Sequence, residues 1–96
     1  MRVRWSETAL TELDDIFAYI SERNRSAASA VVNRLEELSA LLAEFPLMGH
    51  RTDEGEVRVL SVVRYPFLIF YVIDDMTDEI VILHVRHAAQ DRPEEA

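Results

Sequence analysis

The second half of the chain contains three short runs of β-branched and aromatic residues, and they constrain the fold more than any other feature. The runs cover residues 57–63, 67–73 and 80–86, and such side chains favour the pleated surface of a sheet. Pro66 stands in the first break, where a residue without an amide donor suits a turn. Residues 74–78 form the second break, and their carboxylates can bind the amides of the turn. Runs this close in sequence predict a three-stranded antiparallel meander.

The length of the second turn predicts which residues face one another, because side chains alternate between the faces of a sheet. With a turn at residues 74–78, the expected pairs are Tyr71 with Val81, Ile69 with Leu83 and Phe67 with Val85. Their face would also carry Arg58, Leu60 and Val62. The opposite face would carry Leu68, Phe70, Val72, Ile80, Ile82, His84 and Arg86. Both faces are mostly apolar, so we expect helices to cover one and a partner protein to cover the other.

The first half of the chain predicts a short strand followed by a helix. Residues 2–5 alternate in character and end in Trp5, which is typical of a strand, but its pairing partner cannot be derived from sequence. Ser6 is a suitable N-cap for a helix over residues 7–23, and Asn24 can end that helix in the left-handed conformation. The apolar positions recur at intervals of three and four, which predicts an amphipathic helix. They are Leu10, Leu13, Phe17 and Ile20.

A second helix is predicted to begin after Ser26, as its N-cap, and to stop at Pro46. Its apolar stripe has the clearest period in the chain and consists of Ala28, Val31, Leu35, Leu38, Leu42 and Phe45. Because very few residues separate the two helices, they must run antiparallel as a hairpin. A coiled-coil dimerisation helix is the weaker interpretation, because the stripe is shorter than the three or four heptads such a helix requires.

The order of these elements predicts an α+β domain: an N-terminal strand, an antiparallel αα-hairpin and a three-stranded antiparallel meander forming one sheet. The 96 residues suffice for a single domain over residues 1–96, with residues 88–96 expected to form a flexible C-terminal tail. The chain has no cysteine, which suits a reducing compartment. It also lacks an apolar run long enough for a signal peptide or a membrane span. We therefore expect a cytoplasmic protein without membrane contact.

The charge of the chain opposes direct binding of nucleic acid. Its formal net charge is −8, and all ten basic residues are arginine. Affinity for phosphates comes from clustered cations, whereas arginine suits bidentate pairing with carboxylates. The acidic turn at residues 74–78 lacks the glycine and the terminal glutamate of a calcium loop. His84 and His87 lie three apart on a strand and so on opposite faces. We expect neither a metal nor any other cofactor.

Short motifs occur in order along almost the whole chain. They are Trp5-Ser6 with Ala9, Glu12-Leu13, Ile16 with Tyr19-Ile20, Pro46-Leu47-Met48-Gly49, Val57-Arg58-Val59-Leu60, residues 65–71, and residues 82–87 followed by Asp91. In this order and spacing they resemble the RelE/ParE superfamily of toxins from bacterial type II toxin-antitoxin modules. The resemblance implies the same α+β fold.

The resemblance also implies one of two activities. RelE-like members cleave messenger RNA on the ribosome, and likeness to them would imply an arginine three residues before the strand tyrosine and a basic or acid-base group after the last strand. Leu68 stands at the first position, and Ala88 and Ala89 follow His87. ParE-like members instead bind DNA gyrase and inhibit it without chemistry of their own. These departures favour the ParE-like branch. A ribosome-dependent mRNA endoribonuclease and a silent antitoxin-binding relative are the alternatives.

We expect the functional residues to bind a partner protein, either the antitoxin or gyrase, and none to be catalytic. The candidates are Arg58, Arg64, Arg86, His87 and Asp91. A cognate, ParD-like antitoxin would form a hetero-oligomer with the toxin, and its carboxylates would pair with these arginines. An internal salt bridge is an equal alternative for Arg58. Tyr71 is expected to be a core aromatic residue whose hydroxyl group is hydrogen-bonded.

Overall fold

The computed structural model describes residues 1–89, and its elements follow the predicted order with one short strand added. They are β1 (Arg2–Trp5), α1 (Glu7–Ser21), α2 (Arg25–Glu44), β2 (His50–Arg51), β3 (Arg58–Ser61), β4 (Phe67–Asp74) and β5 (Glu79–His87). The strands form one sheet in the order β1-β5-β4-β3-β2. The α+β fold class is therefore confirmed. Asp91 and most of the predicted C-terminal tail lie outside the described residues. In the described part of the chain, neither helix is long and apolar enough to cross a bilayer.

β1 lies at one edge of the sheet and pairs in parallel with β5, which makes the sheet mixed. Arg2 is opposite Glu79, and Trp5 is opposite Ile82. The amide of Ser6 extends this pairing by donating to the carbonyl oxygen of Ile82 at 2.9 Å. Both helices and three other strands separate β1 from β5 in the chain. Local sequence patterns carry no information about a pairing over that distance.

The predicted register between β4 and β5 is wrong, and the turn is the first reason. Asp74 belongs to β4 and pairs with Glu79, so the turn contains only residues 75–78. The second reason is an extra residue in β5, because Tyr71 faces Ile82 whereas Phe70 faces His84. The observed pairs are consequently Tyr71 with Ile82, Ile69 with Val85 and Phe67 with His87.

The extra residue is Leu83, and it forms a β-bulge that changes which face the side chains of β5 occupy. One additional residue reverses the alternation of one strand relative to its neighbour. Val85 therefore lies on the core face opposite Ile69, whereas His84 lies on the other face opposite Phe70.

Ile80 and Ile82 precede the bulge, and the four-residue turn already places them on the core face opposite Ile73 and Tyr71. The sequence pattern assigns both isoleucines to the opposite face, because it assumes a five-residue turn and so shifts the register of β5 by one residue.

Ser6 and Asn24 are the N-caps of the two helices. The side chain of Ser6 caps α1 by accepting a hydrogen bond from the amide of Ala9 at 3.0 Å, as predicted. Asn24 is extended, with φ of −162°, and its side chain accepts from the amide of Ala27 at 3.1 Å. Asn24 is therefore the N-cap of α2. The expectations that Asn24 is left-handed and that Ser26 caps the second helix are both wrong.

The apolar stripe of α2 is confirmed over most of its length, whereas that of α1 is rotated. Ala28, Val31, Leu35, Leu38 and Leu42 are buried. On α1 the core-facing residues are Ala9, Leu13, Ile16 and Ile20. Leu10 and Phe17 remain 47% and 41% exposed, and Phe45 at the end of α2 is 56% exposed. The predicted α1 stripe therefore mixes core positions with positions on the flank of the helix.

The core lies between the two helices and one face of the sheet. Its largest fully buried side chains are Tyr71, Leu35, Leu42, Ile69, Ile80, Ile82 and Val85. On the helix-free face a smaller cluster contains Val59, Leu68 and Phe70, which are each at most 8% exposed. The expectation that a partner must cover this face is therefore wrong for the cluster, whose side chains are already buried without one. Large exposed apolar side chains lie mainly on the helices and loops.

Candidate functional site

Side chains at the junction of β1 and α1 form hydrogen bonds with the backbone of β5 around its bulge. β1 ends opposite Ile82, so beyond it the backbone of β5 needs other partners. The hydroxyl group of Ser6 donates to the carbonyl oxygen of Leu83 at 3.1 Å. The carboxylate of Glu12 accepts from the amide of Val85 at 3.0 Å. Two side chains from the start of α1 therefore replace the missing strand.

Glu12 also contacts two side chains of β5, His84 and Arg86, and the three form a cluster. Its Oε1 lies 3.3 Å from Nδ1 of His84, and its Oε2 lies 3.5 Å from Nε of Arg86. The ring of Phe70 meets the imidazole edge-on at 6.4 Å between centroids. The Arg86 side chain remains 42% exposed. This cluster holds a guanidinium group at the surface of an otherwise acidic protein, where a partner's carboxylate can reach it.

The sequence motifs include Glu12 but do not predict its contacts with β5. Its carboxylate is only 24% exposed and joins α1 to the backbone of β5. The available signal was its position beside Leu13, on the flank of the buried stripe. A carboxylate on the flank of a buried stripe usually has a specific hydrogen-bond partner, because burying an unpaired charge costs free energy.

Three of the five predicted site residues lie at the same end of the sheet. Arg86 and His87 end β5, and His87 packs edge-on against Phe67 at 5.8 Å between ring centroids. Arg64 lies in the turn before β4, and Pro66, two residues later, accepts a hydrogen bond from the amide of Ala88 at 2.8 Å. Arg64 is exposed and has φ of 75°, a conformation that costs an L-residue energy. Asp91 lies outside the described residues. The partner-binding role of this sheet end stays a prediction.

Arg58 lies elsewhere, within a hydrogen-bonded group that we call the Tyr71 node and that consists of Pro46, Gly49, Arg58 and Tyr71. The guanidinium group of Arg58 donates to the carbonyl oxygen of Gly49 at 2.8 Å. The hydroxyl group of Tyr71 accepts from the amide of Gly49 at 2.9 Å and donates to the carbonyl oxygen of Pro46 at 2.8 Å. Within residues 1–89, no carboxylate lies at ion-pair distance from Arg58. Arg58 thus anchors the loop after α2.

The chemistry of the Tyr71 node follows from its burial. Desolvation raises the pKa of the Tyr71 phenol above its ordinary value of 10.0, while the Gly49 amide and the charge of Arg58 oppose that rise. A side chain at Gly49 has no space, because its Cβ would lie 2.6 Å from the Tyr71 hydroxyl oxygen and 2.8 Å from the carbonyl oxygen of Val59. The node therefore fixes the loop in place, and Tyr71 is a buried aromatic residue whose hydroxyl group is hydrogen-bonded, as predicted.

Solved toxin-antitoxin structures share this fold. A chain of the chromosomal ParDE system of P. aeruginosa superimposes with a TM-score of 0.76 and 24% identity, covering 91% of this chain and 95% of that one. A chain of the RelBE2 toxin-antitoxin complex of Mycobacterium tuberculosis gives a TM-score of 0.61 and 26% identity, covering 90% and 95%. The described domain thus has the RelE/ParE-like fold of type II toxins.

Sequence comparison gives the family within that fold. The family described as ParE toxin of type II toxin-antitoxin system, parDE, matches residues 3–92. The Y4kP protein of Sinorhizobium fredii is 37% identical over 93 residues, which are 97% of this chain and 94% of that protein. This chain belongs to the ParE toxin family.

Proposed function

We propose that this ParE-family toxin acts in the cytoplasm by inhibiting DNA gyrase and that a cognate, ParD-like antitoxin neutralises it. The observation that carries the choice of target is the environment of Leu68. A RelE-like ribonuclease would be expected to have an arginine at this position. Leu68 is instead 8% exposed and packs with Val59 and Phe70 in an apolar cluster. Cleavage of RNA needs a cation beside the phosphate and groups that move protons. Leu68 supplies neither, and Arg86, which faces it across the β4–β5 pairing, is already paired with Glu12.

The charge of the protein supports the same choice. A net charge of −8 repels phosphates over the molecule as a whole, so affinity for ribosomal RNA would depend on a local basic patch. A protein target with acidic side chains suits the exposed arginines better, because guanidinium groups pair with carboxylates in a bidentate manner. The sheet end with Arg64, Arg86 and His87 is the surface that we propose for this contact.

The antitoxin is the second partner in the proposal. Both structural neighbours come from toxin-antitoxin systems, and large apolar side chains such as Phe17, Phe45 and Leu47 are exposed on this chain. A C-terminal antitoxin segment that is disordered alone would fold onto such surfaces as a helix or as an added strand. Co-expression with the adjacent gene should give a soluble hetero-oligomer. A toxin that is equally soluble, monomeric and harmless alone would contradict this part of the proposal.

Two assays in parallel test the target. In the first, purified protein is added to gyrase and relaxed plasmid, and supercoiling is followed on a gel. In the second, the same protein is added to a translation reaction, and primer extension maps the ends of the messenger RNA. We expect inhibited supercoiling and uncut messenger RNA. Cleavage at codon positions with unaffected supercoiling would reverse the assignment to the ribosome-dependent ribonuclease.

A further inference from the structure

Nδ1 of His84 lies equally close to a hydrogen-bond acceptor and to a donor. It is 3.3 Å from Oε1 of Glu12 and 3.3 Å from a terminal nitrogen, Nη2, of Arg86. An ionised carboxylate only accepts hydrogen bonds, and a guanidinium group only donates them. Nδ1 must therefore carry a proton to bond with Glu12 and must lack one to bond with Arg86. One nitrogen atom cannot make both bonds at the same time.

Two of the three side chains in this cluster are held in place by further contacts. Oε1 of Glu12 also accepts from the amide of Val85 at 3.0 Å, and a carboxylate oxygen has lone pairs for two donors. The imidazole of His84 packs edge-on against the ring of Phe70. Arg86 has the most exposed side chain of the three, at 42% against 34% for His84 and 24% for Glu12. A change of protonation at Nδ1 should therefore move the guanidinium group and leave the other two side chains in place.

The charge of the cluster depends on His84. Within residues 1–89, Glu12 is the one carboxylate at ion-pair distance from the imidazole. α1 contributes this carboxylate, β5 contributes Arg86, and β4 contributes the uncharged ring of Phe70. The charges of Glu12 and Arg86 cancel when the imidazole is neutral, and a protonated imidazole adds one positive charge. Histidine is the side chain that ordinarily changes its charge between pH 5 and 8.

We propose that His84 is a proton-controlled switch that sets the position of Arg86. When the imidazole is neutral, its Nδ1 accepts from Arg86, and the guanidinium group is held between His84 and Glu12. When the imidazole is protonated, Nδ1–H donates to Glu12, and repulsion between like charges moves the guanidinium group away from the ring toward solvent. The consequence of the switch rests on the proposed function: at lower pH the end of β5 presents more positive charge to an acidic partner protein.

A permanent proton on Nδ1 is the alternative arrangement. It would keep His84 bonded to Glu12 at every pH and would leave Arg86 with no bond to the imidazole. Nitrogen NMR of the ring separates the two arrangements, because protonated and unprotonated ring nitrogens have distinct chemical shifts. We expect a proton on Nε2 alone at about pH 8 and protons on both nitrogens at about pH 5. A protonated Nδ1 at about pH 8 would overturn the inference.

Exchange of guanidinium protons with water measures the movement of Arg86. Arg34 is the internal control, because its side chain is 33% exposed and pairs with Glu37 at 3.2 Å on the same helix. The ratio of the two exchange rates removes the direct effect of pH on exchange. We expect this ratio to rise about threefold or more between about pH 8 and pH 5.5, because an opened hydrogen bond exchanges faster. It should stay constant in His84→Phe, which keeps a ring against Phe70 but has no Nδ1. A constant ratio in the parent chain would overturn the inference without need of the variant.

Supercoiling assays at about pH 8 and pH 6.5 test the consequence for the partner. Relative to His84→Phe, the parent chain should inhibit gyrase about two- to fivefold better at the lower pH, the range of one exposed ion pair. Equal pH dependence in both chains would contradict this consequence. A chain whose Arg86 exchange follows the protonation of His84 but which leaves supercoiling intact contradicts only the gyrase target. A chain that inhibits supercoiling but carries a proton on Nδ1 at about pH 8 contradicts only the switch.

Discussion

At the scale of single residues, the Tyr71 node explains why three separate sequence motifs occur together. Pro46 and Gly49 come from the loop after α2, Arg58 from β3 and Tyr71 from β4. In the fold they form one group, because one phenol both accepts from and donates to the loop backbone. Arg58, a candidate for partner binding, belongs to this group and holds the loop from its other side.

Removing the hydroxyl group of Tyr71 should destabilise the protein. Tyr71→Phe leaves the Gly49 amide and the Pro46 carbonyl oxygen without their partner, and an unsatisfied buried polar group costs about 1–3 kcal/mol. Urea unfolding measures this loss. Tyr19→Phe is the control, because the Tyr19 side chain is 61% exposed and such surface changes stay within about 0.5 kcal/mol. Equal stability of both variants would show that the node contributes nothing.

The same phenol should make stability depend on alkaline pH. Its pKa is raised in the folded state above the ordinary value of 10.0. The folded state therefore keeps the Tyr71 proton at pH values where the unfolded state has lost it. This contribution to stability is complete below pH 10.0 and is lost as pH rises through the folded pKa. Unfolding followed above pH 9 should show a smaller decline in Tyr71→Phe than in the parent chain, and an identical decline would contradict the assignment.

At the scale of elements, α2 supplies most of the fully buried side chains of the helical layer. Its buried stripe runs from Ala28 to Leu42, and Leu35 and Leu42 are fully buried. α1 contributes less buried surface of its own, since only Ala9 is buried there. It instead joins the sheet through Ser6 and Glu12, which bond the backbone of β5 at the bulge. The two helices are thus held to the sheet by different interactions.

Two leucines on α2 test this description of the helical layer. Leu38 is 3% exposed and lies in the middle of the stripe, whereas Leu41 is 36% exposed. Leu38→Ala should cost about 2–5 kcal/mol in urea unfolding, because it leaves a cavity in the core. Leu41→Ala should cost less than about 1 kcal/mol. A loss below about 1 kcal/mol for Leu38→Ala would mean that the stripe does not form the seam with the sheet.

At the scale of the whole molecule, acidic groups dominate the charge, while exposed arginines lie at two places on the sheet. One is the end of β5 with Arg86, and the other is the edge of β1 with Arg2 and Arg4. Each guanidinium group approaches a carboxylate of the chain, Glu12 or Glu79, which keeps it near the sheet. The arrangement suits contacts with acidic proteins more than contacts with nucleic acid.

If the end of β5 contacts gyrase, a single change there should weaken inhibition gradually. We expect Arg86→Ala to raise the concentration needed for half-inhibition of supercoiling about 5- to 30-fold, the effect of losing about 1–2 kcal/mol of contact energy. Arg51→Ala is the control, because Arg51 is 56% exposed and paired with Glu56 at the other end of the sheet order. A loss of many orders of magnitude would instead indicate a catalytic group.

Local patterns predicted the elements that depend on neighbouring residues. The strand over residues 2–5, the Ser6 cap and the stripe of α2 from Ala28 to Leu42 were correct, because capping and amphipathic periodicity act within a few residues. The predicted stripe of α1 was partly wrong. When apolar residues also lie on the flank of a helix, the sequence does not determine which of them the rotation of the helix about its axis turns toward the core. Only packing against β5 selects Ala9 and Ile16 over Leu10 and Phe17.

The sequence by itself determined the fold class, the family and the acidic character of this protein, because composition, periodicity and motif order are properties of the chain. The tertiary structure alone decided the register and the sites. The bulge at Leu83 placed Val85 on the core face, and the parallel pairing with β5 left the outer edge of β1 open. Both depend on contacts between residues far apart in sequence, such as Glu12 with Val85, and no local preference encodes such contacts.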